Sequence, residues 1–477
     1  MEYKKPYLKL AEDEEIERIN TASLEILEKT GVEVLHDKAL QMLNEAGAKV
    51  DFKKRRVRFP GELVEEQVKN ARKYFVMAAR SPEKDVVLKP NCVYTRPISG
   101  PEFIMDHRTQ EWRKVTTEDV REWAILNDGL EHINYLGAIY PCDAPLSLRD
   151  AYLAKILMEN TEKHIQINAC VSRGVRCIAD MGEIIMGSKK AFKDRPLVSI
   201  LVSVTSPLRF REDDVETLFI CGERGIPVAL DSGPISGGTG PVTLAGNIVQ
   251  LNAEILAGNT ILQIAHPGSP VIYNIRPTVM DMRTTVCALG YVENALAASI
   301  AVQLGRDKHG FITDVFGPVT DSKVVDEQAM MEKVHNTVII ALAGANLIAG
   351  AGELDLNNTV SFVQLVIDNE ILGLMGRVIK GVNIDEGTLA KDTITRVGPG
   401  GHFLDTDHTL NYYKKEYYQY SLYNREARNV WVNAGSGTLK KNAQGIVRKL
   451  IKEHKPQPLD DGIRKEINAI LGSYSNQ

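Results

Sequence analysis

Hydrophobic residues recur along the chain with two spacings, one typical of amphipathic helices and the other of short buried strands. In the first part of the chain, a helical spacing covers residues 14–30 and ends at a glycine, which can close a helix in the left-handed conformation. Similar spacings predict helices over residues 36–46 and 61–71, with a strand pattern at 49–60 between them. We therefore predict that residues 1–130 form a helical region with a small β piece.

From Ile133 onward, short apolar segments alternate with longer amphipathic ones, in units of about 30 to 45 residues that are typical of strand–helix modules. Eight such units favour an α/β fold in which a (β/α)8 TIM barrel occupies residues 131–400. An open doubly wound sheet uses the same units, but no Gly-x-Gly-x-x-Gly motif opens the first turn, and a closed barrel leaves no edge strands. The predicted strands are residues 133–140, 164–169, 197–204, 227–231, 271–275, 311–315, 345–350 and 393–397.

Residues 401–477 differ in composition from the predicted barrel. They contain a dense run of tyrosines between Tyr412 and Tyr423, and amphipathic patterns predict helices over residues 440–455 and 460–471. Tyrosine rings pack well on apolar surfaces while their hydroxyls stay near water. We therefore expect a helical carboxyl-terminal extension that packs on the barrel or against a second copy of the chain.

The overall composition narrows the class of protein. The chain has 477 residues, 44% of them hydrophobic, and a formal net charge of -5, so it can bury a large core and has no basic excess for nucleic acid or an acidic membrane surface. No apolar signal segment or run of about 18 apolar residues occurs, and the six cysteines are scattered without a Cys-x-x-Cys pair. We expect a soluble cytoplasmic protein.

Chemistry in a (β/α)8 barrel takes place where the carboxyl ends of the strands meet. The clearest such end lies between Gly310 and Lys323, where a predicted strand is followed by a Gly-Pro break and then by Thr320 or Asp321 as candidate helix caps. The residues that follow the predicted strands are mostly neutral and partly aromatic. They are Tyr140, Asn168, Cys170, Thr205, Asp231, Ser232, Asn274, Arg276, Asp314, Phe316, Gly352, Glu353 and His402.

Known metal and phosphate motifs are missing from the sequence. There is no His-Glu-x-x-His, no clustered cysteines and histidines at ligand spacing, no P-loop and no Gly-x-Ser-x-Gly, so we predict that the chain binds no metal. Two glycine-rich runs, residues 236–240 and 398–401, have the composition of phosphate-binding loops. Glycines also simply allow a backbone to turn tightly, and we favour that interpretation.

Five short segments carry a resemblance to a known family. They are Leu-Glu-Ile-Leu-Glu-Lys-Thr-Gly-Val-Glu-Val at 24–34, Leu-Asn-Glu-Ala-Gly-Ala at 43–48, Ser-Pro-Leu at 206–208, Thr-Asp-Ser-Lys-Val-Val-Asp at 320–326 and Gly-Gly-His-Phe-Leu at 400–404. Over nearly its whole length the chain resembles the trimethylamine methyltransferase superfamily, specifically the branch that lacks pyrrolysine and demethylates quaternary amines such as glycine betaine. The resemblance implies a barrel whose mouth docks a separate corrinoid protein. The chain itself would bind no cofactor, and the substrate would lie between the barrel floor and the cobalt of that partner.

The resemblance also implies a type of chemistry. The trimethylamine enzymes carry pyrrolysine, encoded in frame, whereas this sequence contains no interruption or unknown residue, and the difference favours a quaternary amine as the substrate. A trimethylammonium group already leaves as a neutral tertiary amine, so cobalt(I) needs no acid or metal to accept the methyl group. Catalysis then consists of alignment and desolvation, with Asp314 and Glu353 as secondary catalytic candidates.

A quaternary ammonium group offers no hydrogen-bond donor, so proteins bind it with aromatic faces and carboxylates, at about 0.5 to 2 kcal/mol per cation–π contact. The residues that we expect in these roles are Tyr94, Tyr140, Phe316 and Glu353. The carboxylate of a betaine needs a cation, for which Arg276 is the first candidate, followed by Arg96 and His402. Arg276 could instead pair with Asp231 or Asp281.

Two other functions fit a barrel of this kind. A lyase or aldolase would need a Schiff-base lysine or a pair of metal-binding carboxylates, and no lysine lies at any predicted strand end. A protein that only binds a small molecule is the second alternative. The partners expected for the favoured function are a cognate corrinoid protein, a small quaternary amine and further copies of the chain.

Overall fold

The amino-terminal part of the chain folds into helices with small strands between them. The computed structural model describes residues 8–168 and 171–475. Its first elements are α1 (Asp13–Lys29), β1 (Val32–Val34), α2 (Asp37–Glu45), β2 (Lys49–Asp51), β3 (Arg56–Arg58) and α3 (Gly61–Asn70). The strand pattern at residues 49–60 thus forms a hairpin of two strands, β2 and β3.

A second group of short strands leads to the first long helix of the barrel region. The elements are β4 (Val76–Met77), β5 (Val86–Val87), β6 (Tyr94–Pro97), β7 (Phe103–Met105), β8 (Trp112–Lys114) and α4 (Thr117–Gly129). A capping box starts α4, because the hydroxyl of Thr116 accepts from the N–H of Asp119 and the Asp119 carboxylate accepts from the N–H of Thr116 at 2.8 Å.

Strands and helices then alternate through the middle of the chain. The strands are β9 (Leu136–Gly137), β10 (Ile165–Asn168), β11 (Val198–Ser203), β12 (Arg209–Phe210), β13 (Val228–Ser232), β14 (Ile235–Ser236), β15 (Val271–Ile275), β16 (Thr278–Asp281), β17 (Val286–Ala288), β18 (Ile312–Phe316), β19 (Leu347–Ala351), β20 (Glu353–Leu354) and β21 (Thr359–Ser361). The helices are α5 (Arg149–Asn160), α6 (Ser172–Ile185), α7 (Lys189–Asp194), α8 (Glu212–Arg224), α9 (Leu244–Ala265), α10 (Val292–Val302), α11 (Glu327–Ala343) and α12 (Phe362–Lys380).

The carboxyl-terminal extension is helical, and its last two helices pack on the barrel. Its elements are α13 (Lys391–Val397), α14 (Asp407–Glu416), α15 (Arg428–Asn433), α16 (Leu439–Glu453) and α17 (Asp461–Ser475). Helix α16 packs on α12 and α4, and α17 packs on α6. By contrast, α13, α14 and α15 bury none of their residues.

Eight strands form one parallel sheet, in the order β6, β19, β18, β15, β13, β11, β10, β9. The two ends of this sheet meet, because the N–H of Asn134, just before β9, donates to the carbonyl oxygen of Thr95 in β6 at 2.8 Å. The N–H of Thr95 in turn donates to the Asn134 side chain at 2.9 Å. The chain therefore folds as a (β/α)8 TIM barrel, as predicted.

One barrel strand differs from the sequence prediction. Residues 393–397 lie in helix α13, and the remaining barrel strand is β6, which precedes the other seven in the chain. The hydrophobic pattern hides β6 because its central residues, Thr95 and Arg96, are polar yet only 0% and 1% exposed, held by hydrogen bonds to backbone carbonyls. The barrel strands therefore run from Tyr94 to Ala351 and do not begin after residue 130.

The loop before α11 also differs from the prediction. The helix is capped by Asp326 and begins at Glu327, so neither Thr320 nor Asp321 is its cap. Asp321 instead accepts a hydrogen bond from the backbone N–H of Leu289 at 2.7 Å. The loop thereby anchors the β16–β17 hairpin over the end of the barrel.

Short strands extend the barrel at both ends. At the carboxyl ends of the barrel strands lie three small sheets, made of β12, β1, β3 and β2, of β20, β21, β7 and β8, and of β14, β16 and β17. At the opposite end, the β4–β5 hairpin closes the interior, where Met77 and Val86 belong to the same buried cluster as Ile272 of β15. The carboxyl end is therefore the open end, where a site can form.

Candidate active site at the barrel mouth

A cavity of about 440 Å³ opens at the carboxyl ends of the barrel strands, and its size falls within the range of about 300 to 1,000 Å³ of small-molecule sites. We call it the mouth cavity. Its walls combine residues from barrel strands and from the small sheets around them. They are Arg96, Ser99, Asn168, Leu201, Ser203, Asp231, Gly233, Ile235, Arg276, Thr278, Cys287, Leu289, Phe316, Leu356 and Asn357.

Asp314 lies between two arginines of the mouth cavity. It belongs to β18 and is fully buried. Arg276, which follows β15, donates from Nη2 to Oδ1 of Asp314 at 2.7 Å, and Nη2 of Arg96 lies 3.5 Å from Oδ2. Nη1 of Arg276 also donates to the carbonyl oxygens of Ile275 and Asp314. The carboxylate of Asp314 is therefore engaged as a charge partner that fixes both guanidinium groups.

Asp231 is the carboxylate in the wall of the mouth cavity, and its side chain is 15% exposed. Ser203, on the neighbouring strand, donates from Oγ to Oδ2 of Asp231 at 2.8 Å. Oδ1 is buried and, within the described part of the chain, has no hydrogen-bond partner; it lies 3.9 Å from Nε of Arg276. Burial raises the pKa of Asp231 above its ordinary value, although Arg276 and the hydrogen bond from Ser203 oppose the rise. A cation in the cavity would gain Coulomb energy from the ionised carboxylate of Asp231.

The aromatic candidates differ in their relation to the cavity. Phe316, the last residue of β18, lines it, and the guanidinium carbon of Arg276 stands 4.1 Å from the ring centroid. A cation of the protein thus covers one face of this ring. Tyr140 supports the wall from behind, because its hydroxyl donates at 2.5 Å to the carbonyl oxygen of Asn168, which lines the cavity.

Glu353 lies behind the cavity wall. It is fully buried, and its carboxylate accepts hydrogen bonds from the backbone N–H groups of Thr320 at 2.7 Å and Asn357 at 2.8 Å. Nζ of Lys333 is 3.8 Å away and donates to Asp368 at 3.0 Å. Burial raises the pKa of Glu353 to about 8. Glu353 therefore holds the loop that presents Asn357 to the cavity, and does not itself line the cavity.

Two further candidates, Tyr94 and His402, lie away from the mouth cavity. Tyr94 is the first residue of β6, at the closed end of the barrel, where its hydroxyl accepts from the N–H of Val87 at 3.3 Å. The imidazole of His402 is 69% exposed between α13 and α14, and lies 3.5 Å from Asp405. Both placements follow from the correction to the barrel strands. Tyr94 begins a strand that we had not assigned to the barrel, and His402 was expected after a predicted strand that is in fact helix α13.

Several cavity residues were missed because they lie outside the barrel strands. Cys287 comes from the β16–β17 hairpin and Asn357 from the turn after β20, so contacts between distant segments decide their positions. Ser203 had a detectable signal, since it lies at the end of a predicted strand and pairs in register with Asp231. Cys170, which was also expected near a strand end, lies outside the described residues.

Within residues 8–168 and 171–475, no group of three or more His, Cys, Asp or Glu side chains could hold a metal ion. The expectation that the chain binds no metal stays a prediction. No lysine of these ranges lines the mouth cavity, so an aldolase-type Schiff base has no amine there. None of the helices in the same ranges is long and apolar enough to cross a membrane.

Comparison with known proteins identifies relatives over almost the whole length. The trimethylamine methyltransferase (MTTB) family matches residues 1–473. A trimethylamine methyltransferase of Desulfitobacterium hafniense (strain DCB-2) is 32% identical over 460 residues, which cover 96% of this chain and 92% of that protein. A glycine betaine methyltransferase of Desulfitobacterium hafniense (strain Y51) is 30% identical over 475 residues, covering 99% of this chain and 98% of the relative.

A solved structure supports the same architecture. The crystal structure of the monomethylamine methyltransferase of Methanosarcina barkeri superposes with a TM-score of 0.55 over 98% of this chain and 90% of that chain. At 11% sequence identity, this likeness speaks for the fold alone. The full-length match to the family and the two relatives settle the family itself: the chain belongs to the trimethylamine methyltransferase (MTTB) family of methyltransferases.

Proposed function

We propose that the chain transfers a methyl group from a small quaternary amine of the glycine betaine type to cobalt(I) of a corrinoid on a separate carrier protein. It would do so without pyrrolysine and without a cofactor of its own. The observation that carries the proposal is that one cavity is lined by a carboxylate, Asp231, and by two arginines, Arg96 and Arg276. Such a cavity offers opposite charges to the two ends of a zwitterion.

The ammonium end of the substrate would lie beside Asp231 and Phe316. A quaternary ammonium group makes no hydrogen bonds of its own, so Coulomb attraction to the carboxylate of Asp231 and contact with an aromatic surface must hold it. Oδ2 accepts a hydrogen bond from Ser203, and Oδ1 is buried without a hydrogen-bond partner among the described residues, so the carboxylate would act on the ammonium group as a charge. Tyr140 would contribute indirectly, through the wall residue Asn168.

The carboxylate end would face the two arginines. The terminal nitrogens of Arg276 already bond to Asp314 and to backbone carbonyls, and Nη1 of Arg96 bonds to the carbonyl oxygen of Pro97. In the described part of the chain, Nε of Arg96 has no hydrogen-bond partner. Arg276 lies closer to Asp231, so we assign it first to the substrate carboxylate, with Arg96 beside it.

The transfer needs little acid–base chemistry from the side chains. The bond between carbon and nitrogen breaks, its electron pair stays on the nitrogen of a neutral tertiary amine, and the new bond to carbon uses the electron pair of cobalt(I). No proton moves. The cavity must therefore align the methyl group and exclude water. All 477 positions hold ordinary amino acids, which supports a reaction without pyrrolysine.

A panel of amines tests the substrate class. The protein is mixed with a reduced corrinoid protein and with glycine betaine, choline or trimethylamine, and the cobalt absorption spectrum is followed. We expect methylation with glycine betaine and little with trimethylamine, since trimethylamine has no carboxylate for the arginines to bind and its nitrogen must be protonated before it can leave as a neutral amine. One of the two relatives named above is a trimethylamine methyltransferase and the other is a glycine betaine methyltransferase, so the panel distinguishes between these two substrates.

We also propose that copies of the chain assemble through residues 381–437, which we call the C-terminal arm. The arm contains α13, α14 and α15, which bury no residue, and exposes Ile384, Leu404 and Leu410 by 77%, 86% and 71%. Because α12 runs away from the barrel mouth, the arm starts at the opposite end, where a carrier docked on the mouth would not cover it. A second copy of the chain would cover this apolar surface permanently.

A further inference from the structure

The β2–β3 hairpin, residues 49–58, concentrates positive charge on a protein that is acidic overall. Its sequence, Lys-Val-Asp-Phe-Lys-Lys-Arg-Arg-Val-Arg, carries six cations and one carboxylate, whereas the whole chain has a net charge of -5. Arg55 pairs with Asp37 at 2.5 Å. Among the described residues the other cations form no ion pair, although all of them are exposed; they are Lys49, Lys53, Lys54, Arg56 and Arg58.

The strand register places one pair of like charges opposite each other. Lys49 of β2 faces Arg58 of β3 across the hairpin, whereas Asp51 faces Arg56, a pair of opposite charges. Two cations directly opposite on neighbouring strands repel, which destabilises the pairing. Among the residues that the structure describes, no carboxylate forms an ion pair with Lys49 or Arg58, and an anionic partner on the outer face of the hairpin would relieve their repulsion.

The hairpin stands on the rim of the barrel mouth. Its strand β3 pairs with β1, and β1 pairs with β12, which follows the carboxyl end of barrel strand β11. A groove of about 480 Å³ between the hairpin and this connection is lined by Lys54, Arg56, Thr205 and Arg209, among others. Ser203, two residues before Thr205, lines the mouth cavity. A protein that covers the mouth would therefore reach the hairpin.

The hairpin is fixed to the domain. Val57 is fully buried, and the carbonyl oxygen of Arg55 accepts from the N–H of Val34 at 2.9 Å. Gly31 packs so closely on β3 that a Cβ atom there would come 2.2 Å from the carbonyl oxygen of Val57. The cations therefore occupy defined positions, and Phe52, 51% exposed at the turn, adds an apolar contact among them.

We propose that this basic hairpin docks an acidic surface of the corrinoid-carrying protein beside the barrel mouth. The proposal rests on the proposed function and adds the recognition element for its partner. Clustered cations around a site steer an oppositely charged partner and raise its association rate by about 10- to 1,000-fold at low salt. The combination of several spaced cations with Phe52 fits a protein surface better than a single phosphate group.

A charge-reversal variant tests the proposal. Lys53→Glu, Lys54→Glu and Arg56→Glu are combined, and Lys449→Glu, Lys452→Glu and Lys455→Glu form a control with the same change in net charge at the carboxyl-terminal end of α16. Methyl transfer to the corrinoid protein is measured at about 50 mM and about 300 mM salt, because surface attraction weakens as ionic strength rises. Thermal unfolding confirms that both variants are folded.

We expect the hairpin variant to lose at least about tenfold in kcat/KM for the corrinoid protein at low salt, with kcat and the KM for the amine unchanged. The difference in kcat/KM between the hairpin variant and the wild type should shrink at high salt. The control variant should match the wild type at both salt concentrations. With free cob(I)alamin as the acceptor, the hairpin variant and the wild type should also match. Equal kcat/KM values for the corrinoid protein in the variant and the wild type would overturn the proposal, and an equal loss with free cob(I)alamin would assign the cations to the corrinoid itself.

If the wild-type protein methylates no corrinoid at all, the proposed function fails, and the docking proposal is still decided by direct binding. The dissociation constant of the corrinoid protein is then measured for the wild type and the hairpin variant by interferometry. Weaker binding by the hairpin variant alone would support the docking surface. Unchanged or absent binding would refute it.

Discussion

Arg276 donates a hydrogen bond to Asp314 at 2.7 Å while its guanidinium carbon lies 4.1 Å above the ring of Phe316. Asp314 and Phe316 are both residues of β18, two positions apart, so one barrel strand holds the arginine on two sides. Arg276 is 6% exposed and faces the mouth cavity. The geometry gives the cavity a positive charge of fixed position, 3.9 Å from the carboxylate of Asp231.

Replacing Arg276 by Ala should weaken the use of glycine betaine by about 2 to 5 kcal/mol in transition-state terms, because the substrate carboxylate would lose a desolvated charged partner. Choline, which has no carboxylate, should lose much less. The measurement is kcat/KM for both amines. The thermal midpoint should also fall, since Asp314 would keep only the more distant Arg96. Equal losses for both amines would show that Arg276 does not bind the carboxylate.

Replacing Asp231 by Asn tests the ammonium end. The amide has nearly the same shape but no charge, so we expect the KM for glycine betaine and choline to rise by about tenfold or more, with kcat changed less. Ser203→Ala is the matched variant, because it removes only the hydrogen bond at Oδ2. A KM that stays at the wild-type value in Asp231→Asn would place the ammonium group elsewhere.

The pH dependence of amine use should report on Asp231. Burial raises its pKa above the ordinary value of 3.8. Only the ionised carboxylate attracts a cation, so kcat/KM should fall as the pH drops through this raised pKa, at a higher pH than for an ordinary aspartate. The acid limb should vanish in Asp231→Asn. A limb that persists unchanged in that variant would belong to another group.

Glu353 should make stability depend on pH. Burial raises its pKa to about 8, above the ordinary value of 4.5, so between these values the folded state holds a proton that the unfolded state has lost. Stability should therefore decrease as the pH rises from about 5 to about 8, and less so in Glu353→Gln. Urea unfolding at several pH values measures this difference. Identical pH profiles for the two proteins would show that Glu353 is ionised in the fold.

The C-terminal arm gives a prediction about assembly. Leu404→Glu combined with Leu410→Glu places two charges on the exposed apolar surface of the arm, so the mass measured by light scattering should drop towards that of one chain. Leu146→Glu is the control, since Leu146 is 80% exposed outside the arm. A wild-type protein that is already monomeric would contradict the role of the arm.

The barrel fold could be predicted from the sequence, and so could the positions of Arg276 and Phe316 at the ends of barrel strands. Arg276 and Phe316 were found because each follows or ends an apolar run that is unmistakably a strand. The strand from Tyr94 to Pro97 was placed in the β piece before the barrel and not in the barrel itself, because its buried residues are polar and are satisfied by distant groups such as the carbonyl oxygen of His132. Hydrophobic periodicity contains no information about such partners.

The ligand-binding role that we propose for Asp231 could not be predicted from the sequence either. From the sequence, Asp231 was only a possible partner of Arg276. The register between β11 and β13 places Ser203 opposite Asp231, where its hydroxyl donates to Oδ2 and makes no hydrogen bond to Oδ1. Glu353 was chosen for its position after a predicted strand, yet the chain turns there and buries it beneath the loop that carries Asn357. Loop geometry of this kind depends on long-range packing.

The most direct test of the central proposal is the optical spectrum of cobalt during a single turnover. The protein is mixed anaerobically with a carrier protein whose corrinoid is reduced to cobalt(I), and glycine betaine is then added. We predict that the cobalt(I) absorption is replaced by that of methyl-cobalt(III), with dimethylglycine formed in equal amount, and that Asp231→Asn slows this conversion. A cobalt(I) spectrum that glycine betaine and the other quaternary amines leave unchanged, with folded protein and active carrier present, would contradict it.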